Sequence, residues 1–143
     1  EISNYALNGK ECRHNLKYWR CEEYIGVGLS AYSYFDGARF GNTSIPSEYL
    51  SGDYTEYTVR EDIDKDSRAY ETVMLGLRTA DGISLSQYER SFGHSFFLGR
   101  EEKIASLISQ GYAKVEDDRF NLTEKGFYVS NSILTELIKQ KNT

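Results

Sequence analysis

Residues 100–122 read REEKIASLISQGYAKVEDDRFNL, and the hydrophobic period changes in the middle of them. Ile104, Leu107 and Ile108 recur at three- and four-residue spacing, which predicts a helix over Arg100–Gln110. Gly111 is placed to end that helix in a left-handed cap. Beyond it, Tyr112–Glu116 and Arg119–Leu122 flank Asp117-Asp118, the pattern of a short β-hairpin.

The flanks agree with this core. Upstream, Asp66 and Ser67 are good N-caps for a helix whose apolar face carries Tyr70, Val73, Met74 and Leu77. Thr79-Ala80-Asp81-Gly82 supplies a turn. Ser84 with Gln87 then forms a capping box, with Ile83 and Tyr88 as a hydrophobic staple and Leu85, Tyr88 and Phe92 on the buried face. Downstream, Thr123 caps a last helix with Phe127, Ile133, Leu134, Leu137 and Ile138 as its apolar positions. The order helix, helix, helix, two-stranded wing, helix is that of a winged-helix-like domain over residues 67–143. Residues 1–45 differ. They are rich in Tyr, Gly and Asn, with short apolar pieces such as YIGVGL and AYSYF, and read as strands, turns and loops. Residues 46–66 are polar and acidic, one helical turn followed by a connecting segment. The fold class is therefore α+β.

Bulk properties narrow the function. With 143 residues, 39% hydrophobic and 27% charged, the chain has the size and composition of an ordinary globular domain. No apolar run approaches the roughly 20 residues of a transmembrane helix, and Glu1-Ile2-Ser3-Asn4 does not open a signal peptide. Two cysteines do not make a disulfide framework, so a cytoplasmic location is expected. Position 1 is not Met, which suggests a piece of a larger protein. The net charge of −5 argues against bulk nucleic acid or anionic membrane. Carboxylates also stand where a winged helix meets phosphate, in Arg100-Glu101-Glu102-Lys103 and Glu116-Asp117-Asp118-Arg119. No nucleic-acid partner is expected.

Two stretches look chemical. Gly26-Val27-Gly28-Leu29-Ser30-Ala31 fits a dinucleotide fingerprint, with Glu48 near the required spacing. The aromatic, Gly-broken YSYFDGARFGN that follows has no helical period, so the helix N-terminus needed by a pyrophosphate is missing. The other stretch is CRHNLKYWRC, residues 12–21, which holds both cysteines and the single tryptophan. Cys12, His14, Cys21 and the distant His94 make up a four-ligand zinc set only at unusual spacings. An iron–sulfur cluster needs at least three thiolates. A neutral His14 can ligate heme iron axially, with Tyr18 and Trp19 against a porphyrin face. A surface segment with His14 and Asn15 bonded to backbone and Trp19 on the core fits the same residues.

The stretches ECRHNLKYW (11–19), EYIGVGLSAYSY (23–34), DGARFGN (36–42) and Tyr49 resemble the later part of the radical SAM heme chaperones. These form the HemW branch of the oxygen-independent coproporphyrinogen III oxidase-like family (HemW/HemN-like). The tail agrees, in ETVMLGLRTADGIS (71–84), Phe92-Gly93 and LTEKGFYVSNSIL (122–134). The resemblance implies that residues 1–52 are the last segments of a partial (β/α) barrel, residues 53–66 a connector and residues 67–143 the C-terminal domain. The family's C-x-x-x-C-x-x-C motif, which holds [4Fe–4S] beside S-adenosylmethionine, is not in this sequence. The chain is thus expected to be a C-terminal fragment, inert alone and without catalytic residues, whose partner is a missing N-terminal barrel half.

The motif H-N-x-x-Y-W separates the chaperone branch from the oxidases proper. It implies heme binding by His14, Asn15, Tyr18 and Trp19, with His14 as the iron ligand. Ile25, Gly26 and Gly28 match the stretch beside the S-adenosylmethionine pocket of the parent. Arg39 and Asn42 match an R-x-x-N pattern and are read as holding a loop. The implied function is to bind heme and pass it to heme-accepting enzymes. The alternatives are a fragment of a coproporphyrinogen III oxidase and a winged-helix nucleic-acid-binding module.

Overall fold

The computed structural model describes residues 1–52 and 59–138. The chain begins with an exposed segment and a short helix, α1 (Arg13–Trp19), followed by β1 (Tyr32–Phe35), β2 (Ala38–Gly41), α2 (Pro46–Leu50) and β3 (Val59–Asp62). These strands form an antiparallel sheet in the order β1-β2-β3. Asp36 and Gly37 close the β1–β2 hairpin, both with positive φ (49° and 71°), the backbone that a two-residue turn between twisted strands demands. Tyr24 pairs with Tyr34 and so adds an isolated bridge to the β1 edge.

The second half runs α3 (Lys65–Gly76), β4 (Ile83–Ser84), α4 (Leu85–Phe92), α5 (Glu101–Ser109), β5 (Ala113–Glu116), β6 (Arg119–Leu122), α6 (Glu124–Tyr128) and α7 (Ser130–Ile138). Its sheet has the order β4-β6-β5. Asp117 and Asp118 form the β5–β6 turn with φ of 46° and 64°, since short polar side chains tolerate the left-handed region. Gly111 caps α5 with φ of 74°; the amides of Gly111 and Tyr112 bond back to the carbonyls of Ile108 and Leu107.

The hydrophobic core lies wholly within this second half. Val73 of α3 and Leu77 just after it meet Tyr88 and Phe92 of α4, Phe96 of the α4–α5 connection, Ile104 and Leu107 of α5, Phe120 and Leu122 of β6, and Ile133, Leu134 and Leu137 of α7. Each such side chain stabilises the fold by about 1.5–3 kcal/mol through burial. Among the described residues before 59 the buried hydrophobics are Tyr34, Ala38 and Phe40, while Tyr5, Leu7, Ile25, Val27, Tyr32, Phe35 and Leu50 are exposed.

Several expectations need correction. Helix α1 is a helix, although its stretch reads as loop: Cys12 makes no side-chain cap bond and no α1 residue is buried, so neither capping nor period announces it. Strand β3 lies in the acidic connector and is exposed along its whole length, which erases the alternation that marks a strand. Helix α3 starts two residues early because Asp64, rather than Asp66 or Ser67, accepts the Ser67 amide at 2.8 Å and its hydroxyl at 3.0 Å. Its buried face is Val73, Gly76 and Leu77; Tyr70 is half-exposed. On α5, Ile104 and Leu107 are buried but Ile108 is 41% exposed. The last helix is two helices, broken at Val129 (φ −119°, ψ 19°). Glycine at 126 lets α6 press against the Tyr112 carbonyl, where any Cβ would collide.

Among the described residues, no helix is long and apolar enough to cross a membrane.

Candidate functional site

Helix α1 distributes the H-N-x-x-Y-W residues by its four-residue period: His14 neighbours Tyr18, and Asn15 neighbours Trp19. His14 Nε2 and the Tyr18 hydroxyl are 2.9 Å apart, with the rings edge-to-face at 5.0 Å. Tyr18 in turn meets Tyr24 edge-to-face at 4.6 Å. Such pairs contribute about 0.5–1.5 kcal/mol beyond burial and fix ring orientation. Burial, followed by the neighbouring Tyr18, raises the Tyr24 phenol above its ordinary value. His14 and Asn15 themselves are exposed.

Trp19 points elsewhere. It is half-buried under the Arg78 guanidinium, 5.5 Å from its ring centroid, and lines a cavity between α1 and the α3–α4 pair. The four motif residues therefore form two clusters on one helix rather than one wall. The chemistry of the first cluster is that of an accessible imidazole. A lone pair on His14 is available to a metal only when the Tyr18 bond is released, or when Nε2 carries the proton and Nδ1 is free.

Ile25 is 60% exposed and follows Tyr24 directly. The Gly26 amide donates to Ser33 Oγ at 2.9 Å, and a Cβ at 26 would overlap the Tyr32 carbonyl. Gly28 has φ of 114°, and its carbonyl accepts the Asn42 side-chain amide at 2.7 Å. Asn42 thus ties the end of β2 to the loop that precedes β1. Arg39 spans to α3 instead, with one guanidinium nitrogen 3.1 and 3.0 Å from the two Glu71 oxygens.

The metal alternatives fare differently. Among the described residues, no three His, Cys, Asp or Glu side chains come together as a metal site. Cys12 is exposed, and Cys21 is half-buried with φ of 52°. Burial pushes the Cys21 thiol up, opposed by a hydrogen bond to Thr72. His94 belongs to the other half of the chain, edge-on to Tyr88 at 5.7 Å. Two separated thiols do not fit an iron–sulfur cluster. Two residues near the site, Tyr24 and Arg78, had no signal of their own in the sequence, because their partners Tyr18 and Trp19 are brought to them only by the fold.

The second half of the chain carries a shared domain. Residues 63–129 match the HemN C-terminal domain. Outside that domain the likeness continues over nearly the whole chain. The chain is 34% identical over 139 residues to the heme chaperone HemW of Lactococcus lactis, covering 96% of this chain and 37% of that protein. It is 30% identical over 142 residues to the HemW of Bacillus subtilis, covering 93% and 36%. The chain thus spans a little over a third of the curated relatives it matches. In structure it resembles coproporphyrinogen III oxidase (HemN) from Escherichia coli, a radical SAM enzyme, with a TM-score of 0.58 and 17% identity over 84% of this chain and 29% of that one. That likeness is one of fold. The resemblance read from the motifs, to the C-terminal portion of HemW/HemN-like proteins, holds, and it includes the stretch 63–129 that matches the HemN C-terminal domain.

Proposed function

We propose that this chain is the C-terminal part of a cytoplasmic radical SAM heme chaperone, which binds heme and delivers it to heme-accepting enzymes. In this reading residues 1–52 are the last barrel segments, 53–66 the connector and 67–143 a winged-helix-like domain. The β4-β6-β5 sheet beside α3, α4 and α5 supports the last assignment. The exposed Tyr5, Leu7, Ile25, Val27 and Phe35 support the first, since a barrel remnant leaves uncovered the apolar residues its other half would bury. The [4Fe–4S] centre and S-adenosylmethionine belong to the rest of the parent, with Ile25, Gly26 and Gly28 beside the latter.

The observation that carries the heme reading is the row His14–Tyr18–Tyr24: an accessible imidazole backed by two edge-to-face phenols that ends beside Ile25. His14 is the iron ligand, Tyr18 sets its tautomer and Asn15 flanks it, while Trp19, the fourth residue of the motif, stands on the other side of α1 under Arg78. Heme is cargo here. The chain's own task is to offer one ligand on an open helix, an arrangement that favours release as much as capture.

Heme titration followed by its Soret band tests this in the protein and in His14→Ala. The wild type shifts the band and His14→Ala does not. Equal spectra in both would remove His14 as the ligand.

A further inference from the structure

Helix α1 has 7 residues, buries none of them and starts at Cys12 without a side-chain cap. A helix that short is marginal in water by itself, so what holds it lies outside it. Its C-terminal end shows the holding. The Cys21 amide bonds to the Tyr18 carbonyl at 3.2 Å and the Glu22 amide to the Lys17 carbonyl at 2.9 Å, a helix-ending turn that puts residue 21 in the left-handed region. Glycine suits that position best; here it is Cys21, with φ of 52°.

Thr72, Arg78 and Asp81, all within the stretch that matches the HemN C-terminal domain, clasp this end. Cys21 and the Thr72 side chain share a hydrogen bond. Arg20 meets Asp81 at 2.8 Å, in an exposed ion pair of the kind that contributes little. The Arg78 guanidinium lies over the half-buried Trp19 ring, where a cation is better shielded from water. Hydrogen bonding does not explain Arg78: its Nε is buried without a partner, and its bond to Glu1, at 3.4 Å, is long. The ring contact does. A helix turns once in roughly 3.6 residues, so Trp19 pinned under Arg78 also fixes which way Tyr18 and His14 face, toward Tyr24.

We propose that Arg78 is a positioning residue for the His14 ligand: through Trp19 it fixes the rotation of α1, so the HemN C-terminal domain sets how the imidazole is presented. This rests on the heme reading above. It gives Trp19, which stands apart from the His14–Tyr18 cluster, a task in the same motif: it is the anchor of the helix that carries the ligand.

Trp19 is the only tryptophan, so its emission without heme reports on this contact. Arg78→Met keeps an apolar stem over the ring and removes the charge and the unmet Nε. It should change that emission and weaken heme binding about 10-fold in the Soret titration. Arg78→Lys, which keeps a charge, should bind with an affinity between those of Arg78→Met and the wild type. Glu1→Gln, which removes the long bond, should bind as the wild type does. The Soret maximum at saturation should be the same throughout, because the ligand is unchanged. Far-UV circular dichroism checks that each variant folds. The proposal is overturned if Arg78→Met binds heme as tightly as the wild type, if Arg78→Lys binds no better than Arg78→Met, or if Glu1→Gln weakens binding as much. A displaced Soret maximum in Arg78→Met would make Arg78 a heme contact and overturns it too. Equal spectra for the wild type and His14→Ala would fail the heme reading and the positioning role together. Binding through His14 that Arg78→Met leaves untouched fails the positioning role alone.

Discussion

Gly126→Ala sets two physical effects against each other. Gly126 sits inside α6, where replacing glycine with alanine ordinarily stabilises by about 1 kcal/mol. Here the new Cβ would overlap the Tyr112 carbonyl oxygen, and it would stand 3.1 Å from that carbonyl carbon and 3.2 Å from Leu122 Cβ. None of these is the far end of a flexible side chain. The Tyr112 carbonyl also accepts the Thr123 amide at 3.0 Å, the bond that anchors the start of α6 on β5. Overpacking costs about 1–3 kcal/mol, and a strained or lost backbone hydrogen bond about 0.5–1.5 kcal/mol. Against a gain of about 1 kcal/mol from propensity, the net is destabilisation of about 1–3 kcal/mol. At a urea m-value near 2 kcal/mol/M, the unfolding midpoint falls by about 1 M. Urea denaturation followed by circular dichroism reads this directly. A midpoint equal to or above wild type would show that the α6–Tyr112 approach does not exist as described.

Leu77→Ala removes a side chain with no exposed surface in the middle of the core and should cost about 2–5 kcal/mol, read by the same denaturation; a loss under 1 kcal/mol would contradict its placement. The Asp118 carboxyl is held below its ordinary range by hydrogen bonds from Ser86 and Ser84. Its folded value lies below its unfolded one, so its contribution is complete above the ordinary carboxylate range and is lost as pH falls through the lowered value. An NMR titration of Asp118 should give a midpoint below that of an unstructured Asp, and a midpoint at or above it refutes the turn geometry. Arg39→Gln breaks the ion pair from β2 to α3, and because both partners are partly exposed the cost is about 0.5–1 kcal/mol; a double-mutant cycle with Glu71→Gln that shows no coupling would refute it.

Where local signals agreed with the fold, the sequence was sufficient. The 100–122 stretch announced a helix, a left-handed glycine and a hairpin because each is specified by neighbours: period, cap and turn. Ser84 accepting the Gln87 amide and Thr123 accepting the Gly126 amide were legible for the same reason. The site was legible as a motif only. His14 and Tyr18 meet because a helix places residues four apart together, but that helix carries neither a side-chain cap nor a buried face. Its existence depends on what surrounds it.

Sequence alone determined most of the core of the second half, since burial there follows the helical and strand periods, although Tyr70 and Ile108 share those periods and are exposed, and Phe96, buried between two helices, carries none. It also determined the likeness to HemW/HemN-like proteins, carried by H-N-x-x-Y-W and the tail motifs. Tertiary structure decided the rest: that Trp19 turns away from His14 under Arg78, that Arg39 reaches across to Glu71 of α3, and that the Tyr88 hydroxyl is buried without a partner. Each depends on groups far apart in the chain, such as Trp19 and Arg78 or Arg39 and Glu71. No local period encodes such a meeting, because only the packing of one half on the other brings the partners within reach.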